Sequence, residues 1–259
     1  MQEVARAYSI PFPDPDAAFR LVVFPHAGSG TAFYHFLAKA FAGAGIETLT
    51  VAYPGREIRI AEPPPESLPE LLATLAPSLA QVLSDGRPFI FYGHSLGGLV
   101  AFEMIRSWQA GGLPVPALFV CSGRQAPGIR GDILAMDTLS DDAFIEAVIT
   151  RYQAIPREVV QHPELLELIL PALRSDFRMV DRYVYRPGPR MTCPIVLANG
   201  VDDPWVEEKT LAPWENETAS LTSRWFDGGH FFIRNSLEAF QDYLLASCRM
   251  RGLCPAGGA

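Results

Sequence analysis

The segment Gly93-His94-Ser95-Leu96-Gly97-Gly98 constrains this chain more than any other. It follows an apolar run, Pro88-Phe89-Ile90-Phe91-Tyr92, and opens a stretch from Leu96 to Trp108 with helical patterning. A buried strand must therefore turn directly into a helix, with Ser95 at the tip. Such a turn forces its tip residue into strained backbone, and the positions two residues away on either side have room for almost no side chain. Gly93 and Gly97 meet that demand. The free N–H groups and positive end of the new helix face whatever develops negative charge beside the serine, so the turn suits a nucleophile. A merely structural turn is the alternative, and the strand-turn-helix context argues against it.

The same alternation runs through most of the chain. Phe19–Phe24, Ile46–Ala52, Pro88–Tyr92, Pro116–Cys121, Pro194–Ala198 and Leu221–Phe226 read as strands. Thr31–Ala42, Leu68–Leu83 (with Pro77 as a potential kink), Leu96–Trp108 and Ser236–Cys248 read as helices. The pattern predicts an α/β protein with a mostly parallel sheet covered by helices on both faces, its site at the carboxyl ends of the strands. With 259 residues, 49% of them hydrophobic, the chain can bury one large core, and a single domain over 1–259 is expected. The stretch 125–187 interrupts the alternation with helix-like sequence: Asp141–Tyr152, Pro163–Arg174 and Ser175–Tyr185. Leucines and isoleucine from Leu165 to Leu173 leave little polar face, so this helix must cover or be covered, and Pro171 is expected to kink or end it. A helical insertion of this kind is expected to form a lid; an additional structural subdomain is the other reading.

A formal net charge of −8 argues against nucleic-acid binding and against adhesion to anionic lipid. Met1 to Pro15 holds Arg6 and several prolines but no long apolar stretch, and no run approaches the length that spans a bilayer. Cys121, Cys193, Cys248 and Cys254 lack metal-ligand spacing, and the first two sit in or beside apolar runs. Together these features lead us to expect a cytoplasmic protein free of the membrane; a monomer that needs no metal or cofactor is a separate expectation.

A serine needs a base, and the base an orienting acid. In the α/β-hydrolase fold, which the elbow in this context indicates, the chain order is Ser, then Asp or Glu, then His. His26 and His35 precede Ser95, His94 adjoins it, and His162 lies before Pro163 where it can cap a helix. His230 remains, after a late strand in Phe226-Asp227-Gly228-Gly229-His230-Phe231-Phe232, and is the expected base. Ile195-Val196-Leu197-Ala198-Asn199-Gly200-Val201-Asp202-Asp203 supplies the acid; Asp203 is favoured and Asp202 is the fallback. The loop Cys121-Ser122-Gly123-Arg124-Gln125 carries no carboxylate, which supports the later placement. For the oxyanion hole, the Leu96 N–H comes with the elbow, and the second donor is expected at Ala27 in Phe24-Pro25-His26-Ala27-Gly28, a stretch that could also be a plain tight turn.

Five segments together resemble the type II thioesterases, the stand-alone editing enzymes of polyketide and non-ribosomal peptide synthesis. They are Phe24-Pro25-His26-Ala27-Gly28, Tyr53-Pro54-Gly55-Arg56, Gly93–Gly98, Leu173-Arg174-Ser175-Asp176 and Phe226–Phe231, in order and at matching spacing from Phe19 to about Leu245. The resemblance implies hydrolysis of acyl thioesters on the phosphopantetheine arm of acyl or peptidyl carrier proteins. It maps the acid to Asp203 and the oxyanion alanine to Ala27. The Pro-rich start and the Cys254-Pro-Ala-Gly-Gly tail match nothing and are expected to be frayed. Arg174, Arg178 and Arg182 recur every fourth residue; they form either a docking face for an acidic carrier protein or a solvated face balanced by Asp176 and Asp181. Elbow and triad alone suit a free-standing carboxylesterase or lipase equally well; the additional motifs favour the thioesterase. A non-catalytic binding protein of the same fold would be expected to have lost a triad member.

Overall fold

The apolar runs become strands whose neighbouring residues face opposite cores. In β2 (Phe19–Phe24), Val22 and Phe24 join one core while Phe19, Leu21 and Val23 join the other. The same split recurs in β4 (Phe89–His94), β5 (Leu118–Ser122) and β6 (Ile195–Gly200), where Phe91, Cys121 and Leu197 face one way and Ile90, Val120 and Ala198 the other. Burial on both faces is why these strands read as continuous apolar runs instead of alternating ones.

The computed structural model describes residues 7–129, 135–152 and 162–253. With β1 (Tyr8–Ser9), β3 (Ile46–Val51) and β7 (Leu221–Phe226), the strands form a seven-stranded sheet in the order β1-β3-β2-β4-β5-β6-β7. Every pairing is parallel except β1 against β3. This is the α/β-hydrolase arrangement that the sequence pattern predicts. Helices α2 (Leu68–Val82) and α3 (Leu96–Ala110) fill one core; α1 (His35–Phe41) and the last helix, α7 (Leu237–Met250), fill the other. Between them in the chain lie α4 (Asp141–Ala147), α5 (Pro163–Asp181) and α6 (Glu208–Leu211). Pro77 is accommodated inside α2, and the Ser67 side chain caps that helix at Glu70 N–H. Cys121, Cys193 and Cys248 are buried, and Cys254 lies outside the described residues. Among the described residues no helix is long and apolar enough to cross a membrane.

Three expectations need correction. The N-terminal segment is not frayed throughout: Tyr8 and Ser9 pair with Val51 and Thr50, and the Ala7 carbonyl accepts the Ala52 N–H. A two-residue strand is too short to leave a periodic signature. Second, Pro171 does not end the helix, and Pro163–Arg174 and Ser175–Tyr185 are not separate helices, since α5 runs from Pro163 to Asp181. A proline inside a helix costs about 3 kcal/mol, whereas each large apolar side chain buried beyond it contributes about 1.5–3 kcal/mol. Leu173, Phe177 and Met179 are all buried, so tertiary packing outweighs the local penalty. Third, α5 is not covered along its whole length: Leu165 and Leu168, before the proline, are 42% and 53% exposed. Helix α5 and its surroundings hold a small core of their own, in which Met136, Phe144, Val148, Leu173 and Phe177 cluster.

Phe102 of α3 is fully buried with its ring edge-on to Trp214 at 5.3 Å and the Arg106 guanidinium above it at 5.2 Å. Phe102→Ala should destabilise the fold by about 3–5 kcal/mol, read as a lower denaturant midpoint with an unchanged slope.

Candidate active site

Ser95 sits between β4 and α3 with φ 53 and ψ −113, backbone that an L-residue adopts only under constraint. The constraint is visible on both sides. Its N–H donates to the Ser122 carbonyl at 2.8 Å, tying the tip to β5. A Cβ on Gly97 would stand 1.9 Å from the Phe24 carbonyl oxygen, and one on Gly93 would stand 2.3 Å from the Gly97 carbonyl oxygen. Strand and helix therefore approach more closely than any side chain allows. Leu96 is the first residue of α3, so its N–H has no acceptor within the helix.

Loops after β6 and β7 bring the next two residues together. His230 Nδ1 lies 2.8 Å from Asp203 Oδ2, and the Trp205 N–H donates to Asp203 Oδ1 at 2.9 Å. Asp203 is buried, whereas Asp202, one residue earlier, is exposed and contributes its backbone N–H to the Gly228 carbonyl. Only the second aspartate reaches the histidine. Ser95 and His230 line one cavity of about 950 Å³, together with Ala27, Leu96, Arg124 and Phe177. No acceptor among the described residues takes the Ala27 N–H. Chemically, the cavity offers a partly exposed hydroxyl, an imidazole oriented by a carboxylate, and two unclaimed backbone donors. Among the described residues no group of three or more His, Cys, Asp or Glu side chains could hold a metal ion.

Sequence reasoning sets aside two histidines that the fold returns to this site. The His94 ring lies 4.8 Å from that of His230, and the His26 ring 5.7 Å from that of His94. His94 Nδ1 is 2.9 Å from Ser122 Oγ, and His26 Nδ1 is 2.8 Å from the Tyr34 hydroxyl. Burial, then the charge of His230, then that of Arg56 push His26 down to about 3. Burial, then His230 and His26, hold His94 well below the usual histidine range. Both rings are therefore neutral walls beside His230. His94 ends β4 directly opposite Ser122, a juxtaposition that requires the strand register and leaves no trace in spacing. Arg124 is a second omission. It lines the cavity with Nη1 3.4 Å from the Ser95 carbonyl, and burial lowers its pKa.

Arg174 and Arg178 of α5 and Arg182 just after it do face outward, but with partners other than those expected. Arg174 pairs with Asp141, and Arg178 and Arg182 both pair with Asp137. Asp176 turns inward to Arg56, and Asp181 accepts the Asp137 backbone N–H. His162 occupies the N-cap position of α5 without a capping side-chain bond, beside Glu164.

Residues 19–248 match the family model described as a thioesterase domain. The chain is 40% identical over 225 residues to "Thioesterase PikA5" of Streptomyces venezuelae, covering 86% of this chain and 78% of that one. It is 31% identical over 239 residues to "Gramicidin S biosynthesis protein GrsT" of Aneurinibacillus migulanus, covering 90% of each. Among solved structures it resembles the type II thioesterase BorB from the borrelidin biosynthetic cluster, with TM-score 0.82 and 33% identity over 92% of this chain and 95% of that one. It likewise resembles YbtT, a type II thioesterase from the yersiniabactin pathway, with TM-score 0.83 and 26% identity over 95% and 99% of the two chains.

The buried histidines make stability depend on pH. His26 stays neutral in the folded protein down to about 3, while the unfolded chain takes up its proton near 6.5. Its contribution is fully present above 6.5 and is lost as pH falls through that window, and His94 acts with the same sign. Between pH 7 and pH 5 the unfolding free energy should drop by about 2 kcal/mol from His26 alone. Denaturant titrations of His26→Gln at both pH values should show a shallower loss; an undiminished loss would mean that other groups carry it.

Proposed function

The chain belongs to the thioesterase family, and from that premise we propose that it hydrolyses acyl thioesters carried on the phosphopantetheine arms of acyl or peptidyl carrier proteins, clearing aberrant or stalled acyl groups. The observation that carries this reading is the 2.8 Å contact between His230 Nδ1 and Asp203 Oδ2 behind a cavity that His230 shares with Ser95. The similarity to GrsT and to the type II thioesterase BorB along 90% and 95% of their lengths supports the editing role over product release by a fused domain.

In this reading His230 accepts the Ser95 proton at Nε2 as Oγ attacks the thioester carbonyl. Asp203 holds the tautomer that donates from Nδ1 and steadies the imidazolium that forms. The negative charge on the carbonyl oxygen is met by the Leu96 and Ala27 N–H groups. Collapse breaks the C–S bond. A thiolate with a reference pKa of about 8.5 departs with little help from an acid and then takes the proton that His230 holds, which leaves the acyl group on Ser95 and restores the neutral imidazole. His230 then removes a proton from water, which attacks the acyl-enzyme; return of that proton to Ser95 Oγ releases the carboxylic acid. No metal or cofactor enters the scheme, and the phosphopantetheine belongs to the partner. The enzyme acts as a monomer in the cytoplasm, where its carrier-protein substrates are made.

The segment 125–187 serves as the lid. Phe177 and Val180 of α5, with Tyr183 after it, join Ser95 in lining the cavity. Their side chains are the apolar wall that an acyl chain would meet.

Ser95→Ala should abolish turnover and acyl-enzyme formation without loss of fold, measured by release of free thiol from an acyl-carrier protein and by intact mass. A covalent acyl group on any other residue would overturn the mechanism. Asp203→Asn should lower kcat by about 10⁴, with Asp202→Asn within a few-fold of wild type. Comparable hydrolysis of nitrophenyl esters and poor hydrolysis of acyl-carrier thioesters would point to a carboxylesterase instead.

Val180→Ala should raise the specificity constant for long acyl thioesters relative to short ones by about 10-fold, a methylene-scale change in an apolar pocket. An unchanged ratio in both Val180→Ala and Phe177→Leu would reduce the segment to scaffold.

A further inference from the structure

Tyr53-Pro54-Gly55-Arg56 and Leu173-Arg174-Ser175-Asp176 contribute no group to the proposed chemistry, yet they converge on the loop that carries Ala27. Asp176 of α5 is fully buried. Its Oδ1 accepts Arg56 Nη2 at 2.7 Å; its Oδ2 accepts both Arg56 Nη1 at 2.7 Å and the Gly28 N–H at 2.8 Å. Arg56 Nη1 also donates to the Ser29 carbonyl at 3.1 Å. The Tyr53 hydroxyl donates to the Pro25 carbonyl at 3.2 Å. Glu57 accepts the Thr31 and Ala32 N–H groups at 2.7 and 3.0 Å, with its own backbone held at φ 45.

The loop is therefore gripped on both sides of Ala27 while the Ala27 N–H is left unclaimed among the described residues. The geometry is also directional. Tyr53 fixes the peptide before His26, Asp176 fixes the peptide that joins Ala27 to Gly28, and the His26 carbonyl accepts the Ser29 N–H at 3.1 Å, which limits rotation of the peptide that carries the Ala27 N–H. Burial presses on the Arg56 guanidinium, but the charge and hydrogen bonds of Asp176 outweigh it, and its pKa is raised. A planar guanidinium meeting both carboxylate oxygens admits little angular freedom. If the pair served only to anchor the helix, Asp176 would have no need to accept a backbone N–H adjacent to the proposed oxyanion donor.

We propose that Asp176, clamped by Arg56, is a positioning residue that aims the Ala27 N–H at the developing oxyanion and makes the oxyanion hole depend on the seating of α5. The inference rests on the functional reading above, since it presumes Ala27 as a donor. It also gives the two motifs a shared task. When α5 is seated, the carboxylate reaches Gly28 and the hole is formed; when α5 lifts, the loop loses that bond and the hole is slackened. Substrate entry and competence for chemistry would then be linked through one side chain.

The test separates aim from anchorage. In Asp176→Asn the neutral amide keeps the size of the side chain but loses the charge-assisted fork. Expected is a fall in kcat of about 10–100-fold, because misplacing a donor by an ångström costs about that much. KM should stay within a few-fold, and the loss should be equal for acetyl- and octanoyl-carrier thioesters. Binding of an acyl trifluoromethyl ketone, which forms a tetrahedral adduct with Ser95, should weaken by the same factor as kcat. Arg56→Lys, which keeps the charge but not the fork, should show the same signature in weaker form, and it serves if Asp176→Asn fails to fold. A rise in KM, a changed chain-length ratio or undiminished ketone affinity in the folded variant would overturn the proposal and leave the pair as a helix anchor. Failure of the functional reading would look different: wild-type enzyme would not cleave carrier thioesters, and the same comparison could still be made on nitrophenyl acetate.

Discussion

Helix α3 starts against the end of β2 with no space for a side chain between them: a Cβ at Gly97 would stand 1.9 Å from the Phe24 carbonyl oxygen. Much else follows from that contact. It compels Ser95 into left-handed backbone, it leaves the first N–H of α3 free, and it sets the end of β2 close to Ser95, so that His26 and Ala27 line the same cavity. The strain at Ser95, of order 1–3 kcal/mol, persists because the sheet on one side and the helix on the other leave no relaxed alternative. β4, at the centre of the sheet, is buried on both faces, so the turn cannot shift without disrupting both cores.

Charge is distributed around this site with a clear division. On the outer surface of α5 and at its C-terminal end, Arg174, Arg178 and Arg182 are matched by Asp141 and Asp137, pairs that are partly or largely solvated and contribute little each, about 0–1 kcal/mol. On its inner side, Asp176 and Arg56 form a buried pair, where removing one partner costs about 3–5 kcal/mol because the other is left uncompensated. The same helix thus presents neutralised pairs to solvent and one demanding ion pair to the interior. A carrier-docking face built on the three arginines would have to compete with aspartates already in place.

The surroundings of His230 follow a related rule. His26 and His94 pack near it as neutral rings, their protonation suppressed first by burial. Of the three rings, only that of His230 has a carboxylate behind it. The loop after β5 supplies no carboxylate to this cluster; the one behind His230 comes from the loop after β6.

What the chain determines by itself is whatever local pattern encodes. The β-α alternation, the elbow around Ser95 and the glycine loop before His230 are each written within a dozen residues, because strand burial, backbone strain and sharp turns act over short range. The resemblance to thioesterases likewise rests on contiguous motifs. Asp203 could be preferred to Asp202 only by motif correspondence, since adjacent aspartates are equivalent until loop geometry turns one inward and the other to solvent. Two-residue β1, the continuity of α5 through Pro171, and the partners of Arg174, Arg178 and Arg182 were decided by packing between segments far apart in the chain. So was the meeting of His26, His94 and His230, and that of Arg56 with Asp176 across 120 residues. Long-range pairing leaves no periodic mark in sequence. It arises only when the sheet closes and buried charges and rings must find partners among whatever the fold has brought beside them.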